Sequence, residues 1–103
     1  MEPFDRAGIA SRIRGLLSNL NAIDRSIVAA SLGVDATSLH MSIDEEAPYP
    51  TIDVIAAVIR TYGVDPRWLL TGEYDTLSHR NSLELTTDEM PALVTKLVSE
   101  QTM

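Results

Sequence analysis

Apolar positions recur along the first seventy residues at intervals of three and four, the repeat that gathers side chains on one helical face. Ile9, Ile13, Leu16, Leu17 and Leu20 predict a first amphipathic helix from about Asp5 to Leu20, with Asn19 and Asn21 suited to its end or to a turn. Asp24 can cap a second helix, with Ile27, Val28 and Leu32 inward and Gly33 as its stop. Ala29 and Ala30 are small and let another helix approach. Asp35 can cap a third, short helix to about Ser42, anchored by Leu39 and then Ile43. Pro48 and Pro50 remove backbone donors and disfavour helix before them, so "DEEAPYP" reads as a loop. Thr51 caps a fourth helix whose Ile52, Ile55, Val58, Ile59 and Tyr62 form one stripe, ended by Gly63. Asp65-Pro66 places a cap before a proline at the first helical position, starting a short fifth helix with Trp68, Leu69 and Leu70 that stops near Gly72. Trp68 reads as a core residue closing that helix onto the others.

After Asp75 the pattern changes. "TLSHRNS" is polar and reads as a loop, and alternating "SLELT" suggests one short strand around Leu83 and Leu85. A last helix follows, with Thr87 as its cap, Asp88 and Glu89 at its positive end and Pro91 in its first turn. Its Met90, Leu93, Val94, Leu97 and Val98 fall on one stripe. That stripe either folds back onto its own chain or pairs with the same helix of a second copy; the second is the expectation, which makes these five the candidate dimerisation residues. The expected architecture is all-α: a five-helix unit over residues 1–75 and a C-terminal extension over 76–103 for dimerisation or docking.

Charge changes the picture more than composition does. Lys and Arg number 8 against 15 Asp and Glu, a net charge of −7. All five charged residues between positions 26 and 59 are acids: Asp35, Asp44, Glu45, Glu46 and Asp53. Duplex DNA is held largely by neutralising its phosphates, so this balance weighs against strong DNA binding. With no cysteine, disulfides and thiolate chemistry are excluded. That absence fits a reducing compartment, and no segment reads as a membrane span or a signal, so a cytoplasmic protein without membrane contact is expected. His40 and His79 are far apart and sit in no ligand or catalytic spacing; His79 falls in the expected loop with no evident partner. No enzyme activity, metal or cofactor is expected.

"RSIVAASLGV", with Val28, Ala29, Leu32, Gly33 and Val34, resembles the second helix of lambda-repressor-like helix-turn-helix domains. "PTIDVIAAVIRTYGVDPRWLLTGE" resembles their fourth and fifth helices, and "GVDPRWLLTGE" is most like phage CI-type repressors and the xenobiotic-response-element regulators. The resemblance spans about residues 5–75. It implies a DNA-binding transcription regulator that acts as a homodimer on double-stranded DNA, with the third helix in the major groove. Carried onto this chain, it makes Ala36, Thr37, Ser38, His40 and Met41 the candidate base-reading positions and Arg25 a candidate phosphate contact. Thr37, Ser38 and His40 can bond base edges, and Ala36 or Met41 can touch a thymine methyl.

The chain departs from the family where DNA is read. Its third helix carries no Lys or Arg, and acids stand where basic residues commonly follow that helix. A polar helix surface accounts for the reading positions about as well. Asp44, Glu45 and Glu46 would repel phosphates and suit a solvated or partner-facing loop better. Arg12 and Arg14, two residues apart, do not share one helix face and read as ordinary surface arginines. The alternative is a degenerate helix-turn-helix that binds a basic protein partner through this acidic face.

Overall fold

The computed structural model describes residues 6–17, 25–86 and 88–101, with the side chains of Arg25, Glu100 and Gln101 excepted. Its elements are α1 (Arg6–Leu16), α2 (Arg25–Leu32), α3 (Ala36–Ile43), α4 (Ile52–Tyr62), α5 (Pro66–Thr71), α6 (Thr76–Leu83) and α7 (Met90–Gln101). The chain is all-α, and no strand occurs among the described residues. Asp5, the expected start of the first helix, the expected cap Asp24, and positions 18–23 lie outside the described residues.

Local chemistry sets most boundaries. The Asp35 carboxylate accepts from the Thr37 and Ser38 amides at 3.1 and 3.3 Å and starts α3. The Asp65 carboxylate accepts from the Arg67 and Trp68 amides at 3.1 and 3.2 Å and starts α5, with Pro66 in the first turn. Gly63, at φ 64°, closes α4 with its N–H on Ile59 O at 2.9 Å, a left-handed cap that a Cβ would strain. Thr51 begins α4 without a side-chain cap bond. Instead its amide donates to Ser42 Oγ at 3.1 Å, tying α4 to the last turn of α3.

Helix α4 is the centre of the molecule. Val54, Ile55, Ala56, Ala57, Val58 and Ile59 are all buried, so the helix is covered on every side along this run. Helices α2 and α3 lie against one part of it and α7 against another. The single stripe expected for α4 is therefore corrected: Val54, Ala56 and Ala57 join the core, while Tyr62 is 42% exposed. Helix α2 departs likewise. Ala29 and Leu32 are buried and Val28 half-buried, but Ile27, expected inward, is 66% exposed.

The C-terminal part differs most from expectation. Residues 76–83 form a helix rather than a loop, and Leu83 ends it rather than opening a strand. Asp75 caps α6 through the Leu77 and Ser78 amides at 3.0 and 3.1 Å. His79 has two partners: its Nε2 donates to Gly63 O at 2.6 Å, and its Nδ1 lies 2.6 Å from the Tyr74 hydroxyl. Gly63 O can only accept, so in the neutral ring Nδ1 accepts the tyrosine proton. Polar contacts thus dock α6, a mode that an apolar-periodicity reading does not register. At the next boundary, the Thr86 amide donates to Glu89 Oε1 at 2.9 Å and the Glu89 amide to Thr86 Oγ1 at 3.3 Å. This reciprocal pair starts α7. Thr87, the expected cap, lies outside the described residues.

Met90 and Val94 of α7 are buried, and Leu93, Leu97 and Val98 pack half-buried against the same core. Met90 and Val94 are thus covered by the chain's own core, while Leu93, Leu97 and Val98 keep part of their surface. Trp68 is likewise half-buried against the core rather than enclosed within it.

Candidate functional site

Helix α2 ends in Gly33 at φ 75°, and Asp35 caps α3 two residues later. The turn between the helices is three residues long, and Val34 N–H closes it on Ala29 O at 3.0 Å. Leu39, Ser42 and Ile43 anchor α3 inward. Ala36, Thr37, His40 and Met41 are exposed, and Thr37, His40 and Met41 share one face by their spacing of three and four. Ser38 is only half-buried rather than fully outward, and its carbonyl accepts from the buried Ser42 hydroxyl at 2.8 Å.

The segment after α3 is stapled at several points. Tyr49 N–H donates to Met41 O at 2.9 Å, and Asp44 Oδ1 accepts from Glu46 N–H at 3.2 Å. The Arg6 guanidinium lies 4.9 Å from the centre of the Tyr49 ring, within cation–π range. Asp44 is half-buried, whereas Glu45 and Glu46 project from this fixed loop into solvent. Asp35 and Asp53 are exposed as well.

The arginines face a different task from the one expected of surface residues. Arg14 Nη1 donates to Ile43 O at 2.9 Å and to Asp44 O at 3.4 Å, closing the C-terminus of α3. Arg12 Nε donates to Leu69 O at 2.8 Å near the end of α5. Arg60 Nη2 donates to Leu32 O at 3.2 Å at the end of α2. Each puts a fixed positive charge on helix-terminal carbonyls that lack an intrahelical donor, where the helix dipole is negative. The surface reading of Arg12 and Arg14 is therefore corrected. Their partners stand 57 and 29 positions away in sequence, and no local spacing announces such pairs. Arg25 begins α2, and its side chain lies outside the described residues.

The arrangement offers a hydroxyl, an imidazole and two apolar tips on α3, bordered by acids, with the neighbouring arginines directed onto helix ends. Asp44, Glu45 and Glu46 fall together at the end of α3, as the sequence spacing implies. The stripe Met90, Leu93, Val94, Leu97 and Val98 lies on α7, against α4 and α5. Among the described residues, no group of three His, Asp or Glu side chains is placed to hold a metal, and no helix is long and apolar enough to cross a membrane. No protein-family model matches the chain, and neither a curated protein nor a solved structure matches it at a significant level.

Proposed function

We propose that the chain is a DNA-binding regulator of transcription of the lambda-repressor-like helix-turn-helix type, a binding protein rather than an enzyme. The observation that carries this reading is the tight α2–turn–α3 unit, whose second helix turns Thr37, His40 and Met41 to solvent. Thr37 and His40 supply hydrogen bonds to base edges, Ala36 and Met41 apolar contact with thymine methyls, and Arg25 a phosphate contact. A two-fold operator needs two copies, so the working unit is a homodimer. Its seam lies away from Met90 and Val94, which are buried in the chain's own core. With few cations near α3, affinity is modest and falls only shallowly with salt.

The test is fluorescence anisotropy with a randomised duplex pool, from very low to physiological salt. A recoverable preferred sequence that Thr37→Ala or His40→Ala blurs supports the reading. Absence of binding at very low salt refutes it.

One observation favours a second reading, in which the acidic face binds a basic protein. Arg14 and Arg60 are turned onto helix ends beside α3, while Glu45 and Glu46 stand out from a loop pinned by Met41 O and Asp44. A rigid acidic edge steers a cationic partner without ordering cost. The double substitution Glu45→Lys/Glu46→Lys separates the two readings. It strengthens duplex binding under the first and abolishes capture of an arginine-rich peptide under the second.

A further inference from the structure

Helix α6 is inverted with respect to solvent. Its buried residue is Ser82, while Leu77 and Leu83 are each 64% exposed. Leu77 forms one wall of a groove between α6 and α7 with a cavity volume of about 290 Å³. Leu85, Leu93 and Leu97, all half-buried, make its apolar floor. Arg67 and Lys96 stand on its lining, with Asp75 beside them. Two cations therefore face one carboxylate here, in a chain whose net charge is −7.

Arg67 supplies a second, independent sign. Its Nε is buried and has no hydrogen-bond acceptor among the described residues. Arg67 is ion-paired with Asp75, whose Oδ2 stands 3.5 Å from Nε, beyond the range of a good N–H···O bond. Nε itself is shielded, but the side chain is 43% exposed and a guanidinium carries four further N–H donors, so Arg67 can take a second anion from the groove. The groove is smaller than most drug-sized sites but shares their composition, an apolar surface with a few convergent polar groups.

We infer that the α6–α7 groove binds a small monoanionic amphiphile, its carboxylate at Arg67 and Lys96 and its alkyl chain along Leu77, Leu85, Leu93 and Leu97. One negative charge matches the local excess of one cation, whereas a dianion would meet repulsion from Asp75. The alkyl chain covers Leu77, which otherwise stands in water. No α3 residue lines the groove, so the inference stands apart from the proposed function.

The probe is octanoate, below its aggregation concentration, added to the full chain and followed by calorimetry and by amide NMR. Octanol and octylammonium serve as neutral and cationic counterparts. Saturable octanoate binding is expected, with shifts confined to Arg67, Asp75, α6, Leu85 and α7, and with both counterparts about tenfold weaker or more. Lys96→Glu weakens octanoate by about tenfold or more, while Arg80→Glu, the same charge change outside the groove, leaves it unaltered. Equal affinity for octanol, an unaffected Lys96→Glu variant, or shifts spread over the surface would each overturn the inference.

Discussion

Replacing Asp65 with alanine removes one carboxylate that serves two helices. Asp65 is 1% exposed, and its oxygens accept three amides: Arg67 at 3.1 Å, Trp68 at 3.2 Å and Asp75 at 2.6 Å. The first two form the cap of α5, whose loss costs about 1–2 kcal/mol. The third is a short, charge-assisted bond that holds the residue capping α6, worth about 1.5–3 kcal/mol. Desolvation of the buried carboxylate opposes these gains, so the net expectation is about 3 kcal/mol. Asp35 is the internal control, an exposed aspartate capping α3 through two amides only, and Asp35→Ala should cost about 1 kcal/mol. Small domains stand only about 5–15 kcal/mol above their unfolded state, so the Asp65 effect is readily measured. Urea unfolding followed by circular dichroism gives both values, with the slope required to stay constant. If Asp65→Ala proves no more damaging than Asp35→Ala, the third bond contributes nothing and the account of how α5 and α6 are joined is wrong.

Three further outcomes follow from the structure. Arg14→Met removes the donor on Ile43 O and should cost about 1–2 kcal/mol, with amide exchange accelerating in the last turn of α3; unchanged exchange there would show the clamp to be idle. Val94→Ala opens the core beneath α7 and should cost about 1–3 kcal/mol while leaving self-association, followed by sedimentation, as in the parent chain; a variant whose self-association also weakens would place Val94 in an intermolecular seam. Bonds from the Thr86 amide and then the Thr86 hydroxyl hold the exposed Glu89 carboxyl below its ordinary range. A depressed folded value means that its contribution is present above the unfolded value and lost as pH falls through the folded one. The Thr86 amide signal should therefore move with pH below the usual carboxylate range, and Glu89→Gln should abolish that movement.

The parts of the fold that were legible in the sequence are those with local causes. Asp35, Asp65, Gly63 and Gly72 set boundaries through atoms a few residues away, and the chain has helices where the first five were expected. Helix α6 was illegible because its anchors are polar: Asp75 at its start, His79 on Gly63 O and Ser82 on His79 O at 2.8 Å. The apolar strand pattern at 83–85 arises instead from one leucine left in solvent and one turned toward the groove. Val54, Ala56 and Ala57 were a readable hint that α4 is covered on more than one side, since a helix apolar all round is a central one. On the candidate site, the exposure of Thr37, His40 and Met41 follows from the positions of Leu39 and Ile43. The roles of Arg12, Arg14 and Arg60 do not, because each is set by a carbonyl on a distant helix.

The enclosure of α4 also bears on how the chain matures during synthesis. Helix α7 covers part of α4 yet is made some thirty residues after it. Until α7 leaves the ribosome, the face that Met90 and Val94 will cover stays wet, and the earlier helices have no complete core to close on. Residues 1–75 alone should therefore be less stable than the full chain, which urea unfolding of the two lengths would show. At about 5–20 residues per second that face would be open to chaperones for seconds before α7 arrives. A stop codon ahead of α7 should yield a chain cleared by proteolysis, even though every residue of the candidate reading helix is intact.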